Sequence, residues 1–87
     1  MKEIENKVKN LLKDTIESLG YILYDVEYVK ENNELYLRIF IDKETGISIQ
    51  DCETVNNAIS DLLDEADYTK EQYFLEVSSS GERKRIK

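Results

Sequence analysis

Carboxylates are the most abundant side chains in this sequence that could do chemistry, but their spacing does not indicate catalysis. Asp25 and Glu27 share one face of a predicted strand, where solvent would keep their pKa values too close to normal for acid–base work. The sequence has no histidine and a single cysteine, which excludes Ser–His–Asp triads, Cys–His pairs and structural zinc sites. Its three glycines, at 20, 46 and 81, form no phosphate-binding loop. We therefore expect no enzyme, and no catalytic or cofactor-binding residue.

A second group of acids could gather a hard cation. Its members are Asp61, Asp64, Glu65 and Asp67. They lack the alternating ligands and the glycine of an EF-hand loop, so a solvated helix end is the favoured interpretation and no metal site is predicted. Cys52 falls on the apolar stripe of the preceding helix, which indicates a buried packing thiol rather than a reactive one.

The charge of the chain is uneven. Residues 42–76 contain ten acids and two lysines, whereas the last five residues carry Arg83, Lys84, Arg85 and Lys87. The acidic body would repel phosphate backbones, so a basic protein is the easier electrostatic partner; solvating surface charge without a partner is the alternative. The lone cysteine favours a reducing cytoplasm, and no apolar run is long enough to span a membrane.

Hydrophobic periodicity predicts five elements in the order helix, strand, strand, helix, strand. Their predicted ranges are 2–19, 21–30, 35–42, 49–64 and 73–78. Strict alternation of Leu35, Leu37, Ile39 and Ile41 predicts that the second strand is central. Gly20 is expected to end the first helix in a left-handed conformation, and Ser48 with Asp51 resembles a capping box for the second.

These elements predict an α+β domain with two helices packed on one face of a three-stranded sheet, in the order αββαβ. The domain is expected to cover residues 1–78, and residues 79–87 to form a basic linker. The first two strands should form a hairpin, and a right-handed crossover could make the third parallel to the second. Whether the third strand lies beside the first or the second is left open by the pattern.

The uncovered face of this sheet is predicted to be more aromatic than solvation requires. It would carry Tyr36, Arg38, Phe40 and Phe74, and Leu23 and Val29 are further candidates for this face. A docking surface for another domain or protein is one interpretation. Cross-strand packing that stabilises the sheet is the other, and the sequence does not choose between them.

The element order is related to that of bacterial KH-type RNA modules, which clamp a nucleotide backbone with a GxxG loop. This sequence has no such loop and its second helix is acidic, so strong direct nucleic-acid binding is not expected. The basic run 83–85 could still touch phosphate, although a solvated tail explains it equally simply.

The stretches 20–28, 37–43, 46–48, 51–52 and 75–81 resemble, in this order, the sequence pattern of the ribosome maturation factor RimP family. Residues 20–28, GYILYDVEY, resemble its G-y-e-L-v-D-v-E-y opening. Residues 37–43, 46–48 and 51–52 (LRIFIDK, GIS and DC) resemble its l-R-v-y-I-D-k, G-i-t and d-C. Residues 75–81, LEVSSSG, are similar to its L-E-V-S-S-P-G, with Ser80 where the family usually has proline. The likeness covers nearly all of residues 1–86. Residues 82–86 depart from the family pattern, so no functional role is transferred from the family to them.

The resemblance implies the N-terminal domain of a cytoplasmic bacterial assembly factor for the small ribosomal subunit. In that family an SH3-like β-barrel domain follows, and the pair bind the immature small subunit together with a basic ribosomal protein. We expect the face bearing Tyr36, Arg38, Phe40 and Phe74 to contact such a partner or the SH3-like domain. A regulatory small-ligand-binding module of similar layout is the alternative, although the sequence shows no glycine-rich ligand loop.

Overall fold

The five elements occur in the order αββαβ in a computed structural model that describes residues 2–66 and 72–80. Their bounds are Lys2–Ser18 for α1, Ile22–Glu31 for β1, Glu34–Asp42 for β2, Ile49–Ala66 for α2 and Phe74–Ser79 for β3. Helix α2 thus continues past its predicted end at residue 64. Residues 67–71 of the predicted loop and residues 81–87 of the predicted basic linker lie outside the described residues.

Helix α1 ends where the glycine signal placed its end. Gly20 has a φ of +94°, the left-handed region that disfavours residues with a Cβ. Its amide donates to the Glu17 carbonyl at 3.0 Å, and the Tyr21 amide donates to the Ile16 carbonyl at 3.2 Å. This pair of bonds is a Schellman motif, and it turns the chain directly into β1.

Strands β1 and β2 form the predicted antiparallel hairpin. The turn consists of Asn32 and Asn33, with φ of +52° and +66°. Two consecutive positive φ values match the twist of a tight hairpin, and asparagine tolerates them better than other residues with a side chain.

A β-bulge in β1 changes which side chains face the helices. The register shifts between Leu23 and Asp25, so Tyr24 is the additional residue and is 44% exposed. Leu23 therefore pairs with Ile41 and packs against the core, and the expectation that it lies on the uncovered face is wrong. Strict period-two counting through residue 24 caused this error.

Strand β3 pairs with β2 in parallel, which resolves the position that the sequence left open. The strand order is β1–β2–β3, so β2 is central as predicted. Leu37 pairs with Leu75 and Ile39 with Val77, which places aliphatic side chains of the two strands on the helix-facing side.

The hydrophobic core lies between this side of the sheet and both helices. Its helical members are fully buried: Val8, Leu12, Ile16, Val55, Ile59 and Leu63. Its strand members alternate along β1 and β2: Val26, Tyr28, Leu35, Leu37, Ile39 and Ile41. Because one cluster contains residues of both helices, both lie on the same face, and the predicted fold class is confirmed.

Candidate macromolecule-binding surface

The uncovered face of the sheet carries a cluster of acids around one arginine. Arg38 of β2 donates from Nε to Glu76 of β3 at 2.9 Å. Its Nη1 contacts Glu27 of β1 at 3.3 Å, and its Nη2 donates to Glu31 at 2.8 Å. A single guanidinium thus joins all three strands. Only 24% of the Arg38 side chain is exposed, so its charge is directed at its own sheet rather than at solvent.

These contacts shift the pKa values of Arg38 and Glu31. The hydrogen bonds that Arg38 donates to Glu31 and Glu76 raise its pKa further, which keeps the guanidinium charged at every accessible pH. The hydrogen bond from Arg38 lowers the pKa of Glu31. Arg38 was predicted as a partner contact, but its donors are directed at carboxylates and it is a poor candidate for binding phosphate.

An aromatic pair lies beside this cluster, bridging β2 and β3. The ring centroids of Tyr36 and Phe74 are 5.5 Å apart, and the Arg38 guanidinium lies 4.9 Å from the Tyr36 centroid. The Tyr36 hydroxyl donates to Glu34 at 3.0 Å, and this bond raises the pKa of Tyr36. Tyr36 is half-buried and Phe74 is 53% exposed, whereas Phe40 on the same face is buried. Phe74 is therefore the aromatic residue of this face most accessible to a partner.

Helix α2 presents an acidic outer surface. It contains five carboxylates and no lysine or arginine: Asp51, Glu53, Asp61, Asp64 and Glu65. All except Asp51 are exposed. Helix α1, by contrast, carries four lysines and four acids. The acidity predicted for the chain is thus concentrated on one helix, where it would attract a basic partner.

Asp51 is the exception because it is part of a hydrogen-bonded helix cap. Its Oδ2 accepts the Ser48 amide at 2.8 Å, and the Ser48 Oγ accepts the Asp51 amide at 3.2 Å. The predicted capping box therefore forms with aspartate in the acidic position. Asp51 Oδ1 also accepts the Tyr21 hydroxyl at 2.6 Å, which lowers the pKa of Asp51 and raises that of Tyr21. The link to Tyr21 had no sequence signal, since the two residues are 30 positions apart.

Cys52 follows this cap and is only partly buried, although we predicted a buried thiol. Burial raises the pKa of the thiol, and the neighbouring charge of Asp51 adds to the effect, so the thiol form is favoured over the reactive thiolate.

No metal centre is formed by the part of the chain that the structure describes. Within residues 2–66 and 72–80, no three cysteine, aspartate or glutamate side chains are grouped as metal ligands. The acid group considered above extends to Asp67, which lies outside those residues. Neither described helix combines the length and the apolar character needed to cross a membrane.

This fold and this surface define a small α+β module with an acidic helix and a partly aromatic sheet face. The model of a known protein family, described as the RimP N-terminal domain, matches residues 11–82. The chain therefore belongs to the RimP N-terminal domain family, as the resemblance indicated. Membership of this family implies a role in ribosome maturation.

Proposed function

We propose that this domain acts in maturation of the small ribosomal subunit, in the cytoplasm, by binding a basic ribosomal protein or the immature subunit that contains it. The observation that carries the binding mode is the outer surface of α2, with four exposed carboxylates and no cation. Complementary charge raises the rate of encounter with a basic partner and disfavours free nucleic acid. Catalysis is not part of the proposed mechanism.

The sheet face would supply the contact area once a partner is held. Phe74, exposed and stacked on Tyr36, is the proposed anchor, since buried aromatic contacts dominate the energetics of interfaces. The Arg38 guanidinium, 4.9 Å from the Tyr36 centroid, would help to hold that ring in place. An SH3-like C-terminal domain, which the family resemblance implies, is the other macromolecule that this face would fit.

Binding measurements with purified small-subunit ribosomal proteins test the proposal. The labelled chain is titrated with individual basic proteins and with immature and mature small subunits at about 150 mM salt. We expect preference for one basic protein and for immature subunits. Phe74→Ser should weaken that binding about tenfold or more. Ile22→Ser, which removes an equally exposed side chain from β1, is the matched control. Equal affinity for every basic protein, or no binding at all, would refute the proposal.

The same preparation separates the two alternatives. A small-ligand module predicts residue-specific amide shifts with a metabolite and none with ribosomal protein. Direct RNA binding predicts an affinity that falls steeply with salt and disappears when residues 83–87 are removed.

A further inference from the structure

A groove runs between α2 and the outer edge of β3. Among the described residues β3 has a strand neighbour only on its β2 side, so its other edge presents backbone donors and acceptors. Along that edge lie three depressions of about 430, 430 and 420 Å³, each open to solvent, and two of them share Ile49, Cys52 and Val77. They extend from Asp64 and Leu75 at one end to Ile49 and Ser79 at the other.

One flank of α2 forms the wall of this groove. Glu53, Asn57, Ser60 and Asp64 line it, and their spacing of four, three and four residues puts them on one side of the helix. The two carboxylates stand at opposite ends of this row, about 16 Å apart at a rise of 1.5 Å per residue. The groove therefore carries negative charge at both ends and neutral polar groups between them.

The floor of the groove is apolar. Leu75 and Val77 of β3 contribute their partly buried side chains, and Cys52 lies beside Val77. Ile49, at the start of α2, lines the same end and is 82% exposed. At this exposure the Ile49 side chain contributes almost no hydrophobic burial to the fold. A ligand in the groove would cover it and so remove apolar surface from water.

We propose that this groove receives an extended, basic segment of a protein partner, which adds as a fourth strand to the free edge of β3. The proposal rests on the proposed function in taking a basic protein as the partner. Five strand residues span about 16 Å, which matches the distance between Glu53 and Asp64. Lysine or arginine side chains facing α2 would lay their stems over Val77 and Leu75 and place their charges at Glu53 and Asp64 respectively.

Charge favours a basic peptide segment over the other molecules that could bind this edge. A second copy of the chain carries a net charge of −7 and would bring two acidic α2 helices together. An RNA backbone would meet the same acidic wall. A cationic strand is the one for which the backbone edge, the apolar floor and the carboxylates are all favourable.

The probe is a nine-residue peptide of alternating lysine and valine, titrated into the ¹⁵N-labelled 87-residue chain. We expect amide shifts concentrated in β3 and along the groove side of α2. Two further peptides carry N-methyl groups on either the lysine or the valine amides. Because successive amides of a strand point to opposite edges, one set should abolish binding and the other should spare it. Equal effects of the two sets would overturn strand addition.

Paired substitutions on one helix locate the site. Glu53→Gln with Asp64→Asn should weaken the peptide about 2- to 30-fold, the range expected for two exposed ion pairs. Asp61→Asn with Glu65→Gln makes the same change in net charge on exposed positions outside the groove lining, and should change affinity less than twofold. Equal weakening by the two pairs would show a diffuse attraction and overturn the proposal.

The remaining outcomes distinguish this proposal from the broader one. If the chain binds a basic ribosomal protein but the groove substitutions leave that binding unchanged, and the two N-methylated peptides bind alike, the proposed function stands and the groove is not the site. Failure to bind any ribosomal protein refutes the proposed function itself. Concentration-dependent dimerisation through β3, or a rise in peptide affinity on removing residues 82–87, would assign the groove to a second copy or to the chain itself, and the proposal would fall.

Discussion

Replacing Arg38 with methionine tests whether the ion cluster on the sheet face holds the three strands together. Methionine keeps an unbranched apolar stem and removes the guanidinium. Glu76 and Glu27 then lose a charged donor at 2.9 and 3.3 Å respectively. The loss matters most at Glu27, because only 19% of its side chain is exposed and solvent replaces the missing partner poorly.

The expected magnitude follows from these exposures. A charge-assisted hydrogen bond contributes about 1.5–3 kcal/mol when buried and an exposed ion pair about 0.2–1 kcal/mol. Since Arg38 is 24% exposed, about 0.5–1 kcal/mol for each of the contacts to Glu27 and Glu76 is appropriate. The substitution should therefore cost about 1–2 kcal/mol, which lowers the Tm of a domain this small by about 5–15 °C.

Urea and thermal unfolding followed by circular dichroism provide the measurement. Arg38→Lys retains the charge but loses the forked geometry, so it should fall between wild type and Arg38→Met. Lys9→Met is the control, since it breaks a single partly exposed pair, with Asp25 at 3.3 Å, and should cost less than about 0.5 kcal/mol.

The pH dependence adds a second criterion. Arg38 lowers the pKa of Glu31 from its ordinary 4.5, so this contact stabilises the fold above about pH 4.5 and is lost as pH falls through the lowered value. The difference between wild type and Arg38→Met should therefore shrink on going from pH 6 to pH 3. An Arg38→Met variant as stable as wild type, or a difference independent of pH, would refute the reasoning.

Three further predictions concern the helix cap and the core. Ser48→Ala removes the acceptor of the Asp51 amide and should cost about 1 kcal/mol in urea unfolding, whereas Ser48→Asp should restore most of it. Tyr21→Phe removes the donor to Asp51, so NMR titration should show the Asp51 pKa rising towards 3.8, and the variant should lose less stability than wild type between pH 5 and pH 2. Ile59→Ala, at a fully buried site, should cost about 2–5 kcal/mol; a cost below 1 kcal/mol would contradict the packing described for the core.

The sequence predicted the fold well where the signals were local. The helix stripes, the alternation in β2, Gly20 and the Ser48–Asp51 cap each depend on neighbours within a few residues. It could not place β3, because aliphatic alternation fits a position beside either of the other strands. The bulge at Tyr24 could not be predicted either, because residues 21–24 are apolar or aromatic side chains in a row and fit either register of the strand.

The binding surface was predicted in part. Tyr36, Arg38, Phe40 and Phe74 were assigned to one face by counting, and pairing in the sheet places them there. Their exposures were not foreseeable, because the burial of Phe40 and the ion pairs of Arg38 depend on residues distant in sequence. The groove beside β3 could not be predicted, because it forms only when β3 pairs in parallel with β2 at the edge of the sheet.

The parallel pairing of β2 with β3 has a consequence for how the domain is made. Tyr36 pairs with Phe74, 38 positions later, whereas the β1–β2 hairpin closes through a turn of two asparagines. Closing the longer loop is the slower event, so the hairpin should form early during synthesis and wait for β3 to leave the ribosomal exit tunnel. Throughout that interval one edge of β2 is open and its aliphatic side chains are incompletely covered. The nascent domain is then most prone to aggregate, and translation that stalls before residue 74 should leave an insoluble product.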